Sequence, residues 1–160
     1  MAIIIKPMET EDEIRGKAWV HWKSWQESYA GIVDAGYLAG LTLEGFEEKA
    51  FRWRDNIFVA RDGERVVGFV GYGEARGEEG AGEVYALYVL EEYQRRGVGY
   101  ALIRRALDEL SGFRIVRLWA FAKNEKALSF YERVGFRLDG TEKEIVLGTP
   151  ARGVRLTMEL

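Results

Sequence analysis

The sequence predicts an α/β fold, a mixed sheet covered by helices, on three observations. Runs rich in β-branched and aromatic residues alternate with runs whose apolar residues recur every three or four positions. The pair Asp62-Gly63 separates two strand-like runs, as in a tight hairpin, and the second half of the chain repeats a strand-helix-strand pattern. A meander joined to crossover units places antiparallel and parallel pairing in one sheet.

Residues Ala2 to Met8, with three consecutive isoleucines, read as the first strand. Thr10 stands where a helix N-cap belongs, ahead of the acidic first turn Glu11-Asp12-Glu13. Ile14, Ala18, Trp22, Trp25 and Tyr29 then give a long helix one apolar face, which Gly31 closes. A short helix is expected from Asp34 to Gly40 and a longer one from Leu43 to about Arg54. Ile57 to Arg61 and Val66 to Glu74 form the hairpin, a polar loop follows from Gly77 to Gly82, and Glu83 to Leu90 is apolar enough for a central strand covered on both faces. From Val98 the period changes: Val98, Leu102, Ala106 and Leu110 share a helical stripe with Ile103 and Leu107 beside it, ending at Ser111-Gly112. Ile115 to Ala122 is the next strand. Asn124 can cap a helix whose buried stripe is Ala127, Leu128, Tyr131 and Val134, with Gly135 just past its end. Phe136 to Leu147 and Val154 to Leu160 are the closing strands.

With 160 residues, 48% of them apolar, the chain suits one globular domain over residues 1–160. Cysteine is absent, which excludes disulfides, thiolate metal sites, a cysteine nucleophile and iron-sulfur chemistry, and suits a reducing compartment, with the cytoplasm as the expected location. The one histidine, His21, leaves little for a zinc hydrolase or a histidine-dependent triad, so no metal is expected. A net charge of −3 argues against a nucleic-acid partner. The longest apolar run, Val84 to Leu90, falls far short of the ~20 residues a membrane span needs, so no membrane partner is expected.

Chemistry concentrates at Gln94-Arg95-Arg96-Gly97-Val98-Gly99-Tyr100, where a helix begins. The first amides of a helix lack intrahelical partners, the helix dipole is positive there, and glycines let an anion reach the backbone. Two arginines strengthen the attraction. The third glycine of the dinucleotide fingerprint is missing, and no P-loop sequence occurs.

Leu87-Tyr88-Val89, followed by Gln94-Arg95-Arg96-Gly97-Val98-Gly99 and then by Asn124 and Tyr131 before Gly135-Phe136, resembles the GNAT superfamily of acyl-CoA-dependent N-acetyltransferases. The resemblance is sharpest from Glu83 to Phe136. It implies a mostly antiparallel, twisted sheet of six to seven strands, splayed between the fourth and fifth, with four to five flanking helices. It also implies that backbone groups of Arg95 to Tyr100 hold the pyrophosphate of acetyl-CoA, the anion that the local physics calls for. The pantetheine arm would lie along Leu87, Tyr88 and Val89 like an added strand, an amide near Val89 would polarise the thioester carbonyl, and Asn124 would contact the arm.

By the same resemblance Tyr131 protonates the leaving thiolate. An amine with a pKa near 10.4 must lose a proton before it attacks, and Glu83 matches the glutamate base of the histone-acetylating branch, acting directly or through water. Strand alternation puts Glu83 on one face with Leu87 and Val89. The first helices line the acceptor pocket in this superfamily, which makes Trp25 and Tyr29 substrate-binding candidates alongside Glu83. The implied acceptor is a small-molecule or protein amine, and a homodimer is a common state of the superfamily. Two features depart from the pattern. Trp119 stands where the ribosomal-protein N-terminal branch has a glutamate, and Leu90-Glu91-Glu92 replaces a frequent proline.

Simpler readings stand beside these. Tyr131 suits a core position, Glu83 a solvated strand end, Gly97 and Gly99 a tight turn, Asn124 a cap, and Trp25 and Tyr29 core packing. An acyl-CoA-binding sensor or interaction module without turnover is the alternative function, and a nucleotide-binding protein a third.

Overall fold

A computed structural model describes residues 2–160. Its strands are β1 (Ile3–Pro7), β2 (Ile57–Asp62), β3 (Arg65–Glu74), β4 (Gly82–Val89), β5 (Ile115–Phe121), β6 (Arg137–Leu147) and β7 (Thr149–Glu159). Its helices are α1 (Glu11–Ser28), α2 (Ala35–Ala39), α3 (Leu43–Arg52), α4 (Val98–Glu109) and α5 (Glu125–Val134), with one 3₁₀ turn at Glu91–Tyr93. All seven strands form one sheet in the order β1-β2-β3-β4-β5-β7-β6. Only β4 and β5 run parallel; every other neighbouring pair is antiparallel. Both the α/β class and the splay between the fourth and fifth strands are as the sequence predicts.

The start of α1 is a full capping box. Thr10 Oγ1 accepts from the Glu13 amide at 3.1 Å, and Glu13 Oε1 accepts from the Thr10 and Glu9 amides at 3.0 and 2.8 Å. The Glu13 carboxylate is buried and also takes Lys6 and Arg61. Burial alone would raise its pKa, but the Lys6 ammonium and the two amides outweigh that and hold it at about 2. One carboxylate thus fastens the first helix to β1 and β2.

Face assignment follows from cross-strand pairing. In β3, Phe69 turns toward α1, where Lys17 Nζ lies 4.7 Å from its ring centroid. Gly68, its neighbour on the opposite face, is backed by Leu102 of α4. The sheet therefore lies between α1 on one side and α4 on the other, with a core of Val59, Phe69, Val70, Leu102, Ile103, Leu118, Phe136 and Leu156. A second, smaller cluster of Val33, Leu38 and Phe121 joins the α1–α2 connection to Ile145, Leu147 and Ala151 near the tip of the β6–β7 hairpin.

Several boundaries differ from expectation. Helix α1 stops at Ser28, before Gly31, because Ile32 and Val33 direct their amides at the Tyr29 carbonyl and close a turn. In the first hairpin Asp62 pairs with Arg65, so the two-residue loop is Gly63-Glu64, with Gly63 at φ 61°. Strand β7 begins at Thr149, since a tight turn at Gly148 lets 149–153 pair with β6. The α5 stripe of Ala127, Leu128, Tyr131 and Val134 is half-buried rather than buried, and all but Leu128 line a cleft. The outer half of β4, also read as covered on both faces, is half-buried and lines the same cleft. Among the described residues no helix is long and apolar enough to cross a membrane.

The His21 ring packs edge-on against Phe46 and Phe69, tilts against Tyr88, and leaves Nδ1 buried without a partner. Burial, reinforced by Lys17 and Lys49, lowers its pKa to about 3. A base whose pKa falls on folding contributes stability that is complete above its unfolded value of about 6.5 and is lost as pH falls toward 3, at ~1.4 kcal/mol per pH unit. We expect His21→Phe to flatten the decline in urea-unfolding free energy between pH 6 and pH 4 by ~1 kcal/mol per unit. An identical decline in wild type and variant would show that the ring is already charged in the folded protein.

Candidate functional site

The site begins where the sheet fails to close. Strands β4 and β5 pair at Gly82↔Val116 and Glu83↔Arg117, and no further register pair joins them. Beyond that point the backbone of β4 has β3 on one side only. The Leu90 amide bonds the Val67 carbonyl at 2.9 Å, which sets the phase: by antiparallel alternation Ala86 and Tyr88 point their backbone groups at β3, and Leu87 and Val89 point theirs into the gap. The Val89 carbonyl meets the Gln94 side-chain amide there at 3.0 Å. Gln94 in turn accepts from Lys126 of α5 at 2.9 Å, tying both walls together at the end of the gap.

At that end the chain turns into α4. Arg95 has φ 63° and Gly97 φ 81°, positive values two positions apart of the kind that gather successive amides into an anion-binding nest. Gly97 is the helix N-cap and supplies no side-chain bond. The first amide after it to find a protein partner belongs to Ala101, on the Gly97 carbonyl at 3.0 Å. The amides of Gly97, Val98, Gly99 and Tyr100 have no protein acceptor among the described residues. Gly99 sits where an added Cβ would touch the Phe130 ring at 3.4 Å, so its lack of a side chain lets the start of α4 lie close to Phe130 of α5.

The gap and the turn belong to one cleft of about 1020 Å³. Its walls include Gly97, Gly99 and Phe130 on the α4 side of the sheet, Leu87, Val89 and Ala120 along the gap, and Ser28 and Tyr29 on the α1 side. The cleft therefore passes through the sheet, and two ligands can meet within it from opposite faces. Tyr131 lines it, its side chain aimed from α5. Burial, with the nearby Tyr29 as a lesser cause, pushes the Tyr131 pKa up, so the hydroxyl is a proton donor at neutral pH. Asn124 caps α5 through Oδ1, which accepts from the Ala127 amide at 3.2 Å, and the residue lines the cleft.

On the α1 side a hydrogen-bond chain ends at the cleft. Trp25 Nε1 donates to the Tyr88 hydroxyl at 3.1 Å, and the Tyr88 and Tyr29 hydroxyls are 2.8 Å apart. Either hydroxyl of the Tyr29–Tyr88 pair can be the donor, and when Tyr88 donates, the Tyr29 proton is available to the cleft.

Glu83 is placed differently from the sequence reading. The β3–β4 register shifts between Gly71 and Tyr72, inserting Tyr85 as an extra residue of β4. Pairing then puts Glu83 on one face with Ala86 and Tyr88, opposite Leu87 and Val89, because a bulge reverses the alternation on which the sequence argument relied. Its carboxylate is 3% exposed. Oε1 accepts from the Arg76 amide at 3.0 Å and Oε2 from the Arg76 guanidinium at 2.6 Å.

Of the residues singled out from sequence, Leu87, Tyr88, Val89, Gln94, Arg95, Gly97, Gly99, Tyr100, Asn124, Tyr131 and Tyr29 line the cleft. Arg96 places its guanidinium 5.4 Å from the Tyr93 ring centroid, and Val98 is buried in the core, so their side chains lie outside the lining. Trp25 and Glu83 stand behind the lining residues, the former acting through Tyr88 and Tyr29. Sequence reasoning missed the Tyr85 bulge, the Gln94–Lys126 tie and the Phe130 wall. Gly73 carried a signal for the first, since a Cβ there would stand 2.6 Å from the Tyr85 hydroxyl.

Comparison with known proteins agrees with this geometry. Residues 17–136 match the family described as "Acetyltransferase (GNAT) family". The chain is 34% identical to an uncharacterized N-acetyltransferase of Bacillus subtilis, YuaI, over 92% of this chain and 93% of that protein. It is 31% identical to a probable N-acetyltransferase of Mycobacterium tuberculosis, over 77% and 74% of the two chains. Among solved structures, the PaiA N-acetyltransferase of Thermoplasma acidophilum in complex with coenzyme A shares the fold, with a TM-score of 0.77 and 21% identity over the whole of both chains.

The strained turn yields a prediction. An alanine at position 97 must adopt the left-handed conformation, at a cost of ~1–2 kcal/mol. Gly97→Ala is expected to weaken coenzyme A binding about tenfold by calorimetry, with a smaller loss for dephosphorylated pantetheine, which carries no diphosphate. Equal weakening of both ligands would remove the turn from diphosphate recognition.

Proposed function

The chain belongs to the GNAT acetyltransferase family and is an acyl-CoA-dependent N-acetyltransferase, and on that premise we propose which residues transfer the acetyl group to a primary amine. Acetyl-CoA supplies the acyl group as an activated thioester. In this proposal the amides of Arg95 to Tyr100 hold its diphosphate, and the gap-facing backbone of Leu87 and Val89 takes its amide-bearing arm as an extra strand. Asn124 donates to that arm from across the gap, and the Val89 amide polarises the thioester carbonyl.

The observation that carries the proposal is a cleft that passes through the sheet, with unpartnered amides at one end and the Tyr29 hydroxyl at the other. The amine enters from the α1 side and attacks the carbonyl carbon directly. As the carbon–sulfur bond breaks, Tyr131 gives its hydroxyl proton to the sulfur. The proton lost by the amine passes to water and then to Glu83, whose Oε2 is engaged only once by Arg76 and keeps an acceptor position. Both sites lie in the single domain of residues 1–160, and a cysteine-free chain suits a cytoplasmic setting.

Thiol release from acetyl-CoA, followed across a panel of amines, tests the activity. Tyr131→Phe should lower kcat by about 10²-fold with little change in the affinity for coenzyme A. A variant that turns over at the wild-type rate would remove Tyr131 from the mechanism. Glu83→Gln should move the acidic limb of the kcat/KM profile to higher pH, and an unmoved limb would leave water as the sole acceptor.

A further inference from the structure

The acceptor end of the cleft has a charge pattern that acetyl transfer by itself does not require. Where the gap opens toward α1, its wall is made of Ser28, Tyr29, Tyr85 and Trp119. Among the described residues the single acidic side chain lining the cleft is Glu125, at the start of α5 beside Asn124 and Lys126. Glu83, the carboxylate on the Tyr85 strand, is buried and bound to Arg76, so that pair is neutral. An acceptor carrying a second positive charge, such as a polyamine, would have to leave water there with no carboxylate to receive it, which is unfavourable.

Positive charge, by contrast, stands behind both aromatic walls. The Arg76 guanidinium lies 5.0 Å from the Tyr85 ring centroid. On β6, Lys143 Nζ lies 4.0 Å from the Trp119 ring centroid. Lys143 forms no ion pair and no hydrogen bond among the described residues, so its three N–H donors have no protein acceptor. Burial, and the neighbouring Arg76 as a second cause, lower its pKa, and the more distant Glu83 offsets only part of that. Arg76 holds Glu83 in an ion pair and Glu74 acts on the Tyr85 ring from the same side, whereas no carboxylate reaches Lys143 within ion-pair distance among the described residues. Trp119 matters here because the sequence resemblance had a glutamate at this position in one branch of the superfamily. With an indole there, the ammonium of Lys143 has a platform and no direct ion pair among the described residues. The Tyr29 hydroxyl, paired with that of Tyr88, adds a neutral polar group to the same end.

We propose that the acceptor is a small primary amine that also bears a carboxylate, and that Lys143, held on Trp119, is the specificity-determining residue that receives this carboxylate. The inference rests on the reading that the amine enters from the α1 side. It accounts for a lysine without an ion-pair partner held over a cleft-lining indole, from which its long side chain can reach the acceptor, and for the absence of a free carboxylate from the acceptor walls. The carboxylate of the substrate supplies the ion pair that the protein does not give Lys143.

Thiol release measured on matched sets of amines tests the proposal: free amino acids, their primary amides, the corresponding amines without the carboxyl group, and spermidine. The free acids should exceed their amides in kcat/KM by at least about tenfold. Lys143→Gln should raise KM for the acids and bring the acid-to-amide ratio close to one, and Lys143→Arg should restore most of it. A ratio unaffected by Lys143→Gln, or turnover of amides and spermidine with the free acids silent, would overturn the proposal while leaving acetyl transfer and the entry side intact. Silence of the whole panel, with coenzyme A still bound, would overturn both this inference and the small-amine reading beneath it.

Discussion

Strand β4 has a hydrogen-bonded neighbour on both sides for two residues, Gly82 and Glu83, and on one side for the rest of its length. A buried backbone that lacks a partner is costly, so a fold that leaves Leu87 and Val89 open holds a standing demand for something to occupy the gap. The protein meets a small part of that demand itself, through the Gln94 side chain on the Val89 carbonyl. The remainder matches a ligand with an amide-bearing arm. The same divergence that exposes these groups opens a passage through the sheet, which is why a donor bound along α4 and α5 and an acceptor entering past α1 can share one reacting centre.

Around this passage the helices act as fixed supports of different kinds. Helix α4 offers its first amides, with a left-handed Gly97 bending the chain so that they point outward from the helix start. Helix α5 presents Tyr131 and holds its own first turn with Asn124. Helix α1 is anchored at its start by the Glu13 carboxylate, and near its far end Trp25 donates to the Tyr88 hydroxyl, which is paired with that of Tyr29. Each contribution is made by a helix end, where the chain has unpaired polar groups, or by a side chain positioned from one. The core between the helices supplies rigidity and takes no part in the chemistry.

The bulge at Tyr85 decides which groups meet on the acceptor side. One inserted residue reverses the inward and outward alternation of β4, taking Glu83 away from the face of Leu87 and Val89 and leaving it beside Arg76. It also brings the Tyr85 ring to the rim, opposite the Trp119 and Lys143 pair across the gap. The charge distribution that distinguishes this acceptor pocket is therefore a product of register as much as of residue type.

The sequence by itself determined the elements whose causes are local. The Thr10 cap, the periodic stripes of α1 and α4, the order of strands and helices, and the anion-seeking turn at Gly97 and Gly99 all follow from propensity, capping and periodicity within a few residues. Most of the cofactor-side lining was legible for the same reason, since one turn and one strand end carry it. Only the tertiary structure decided the face of Glu83, the retreat of Trp25 behind Tyr88, the half-buried stripe of α5 and the extension of β7 to Thr149. Each of these depends on pairing between segments far apart in the chain. A bulge is set by the partner strand, and a hydroxyl chain by how a helix crosses a sheet. A tyrosine on an apolar stripe becomes a cleft residue only because the strands beneath it part.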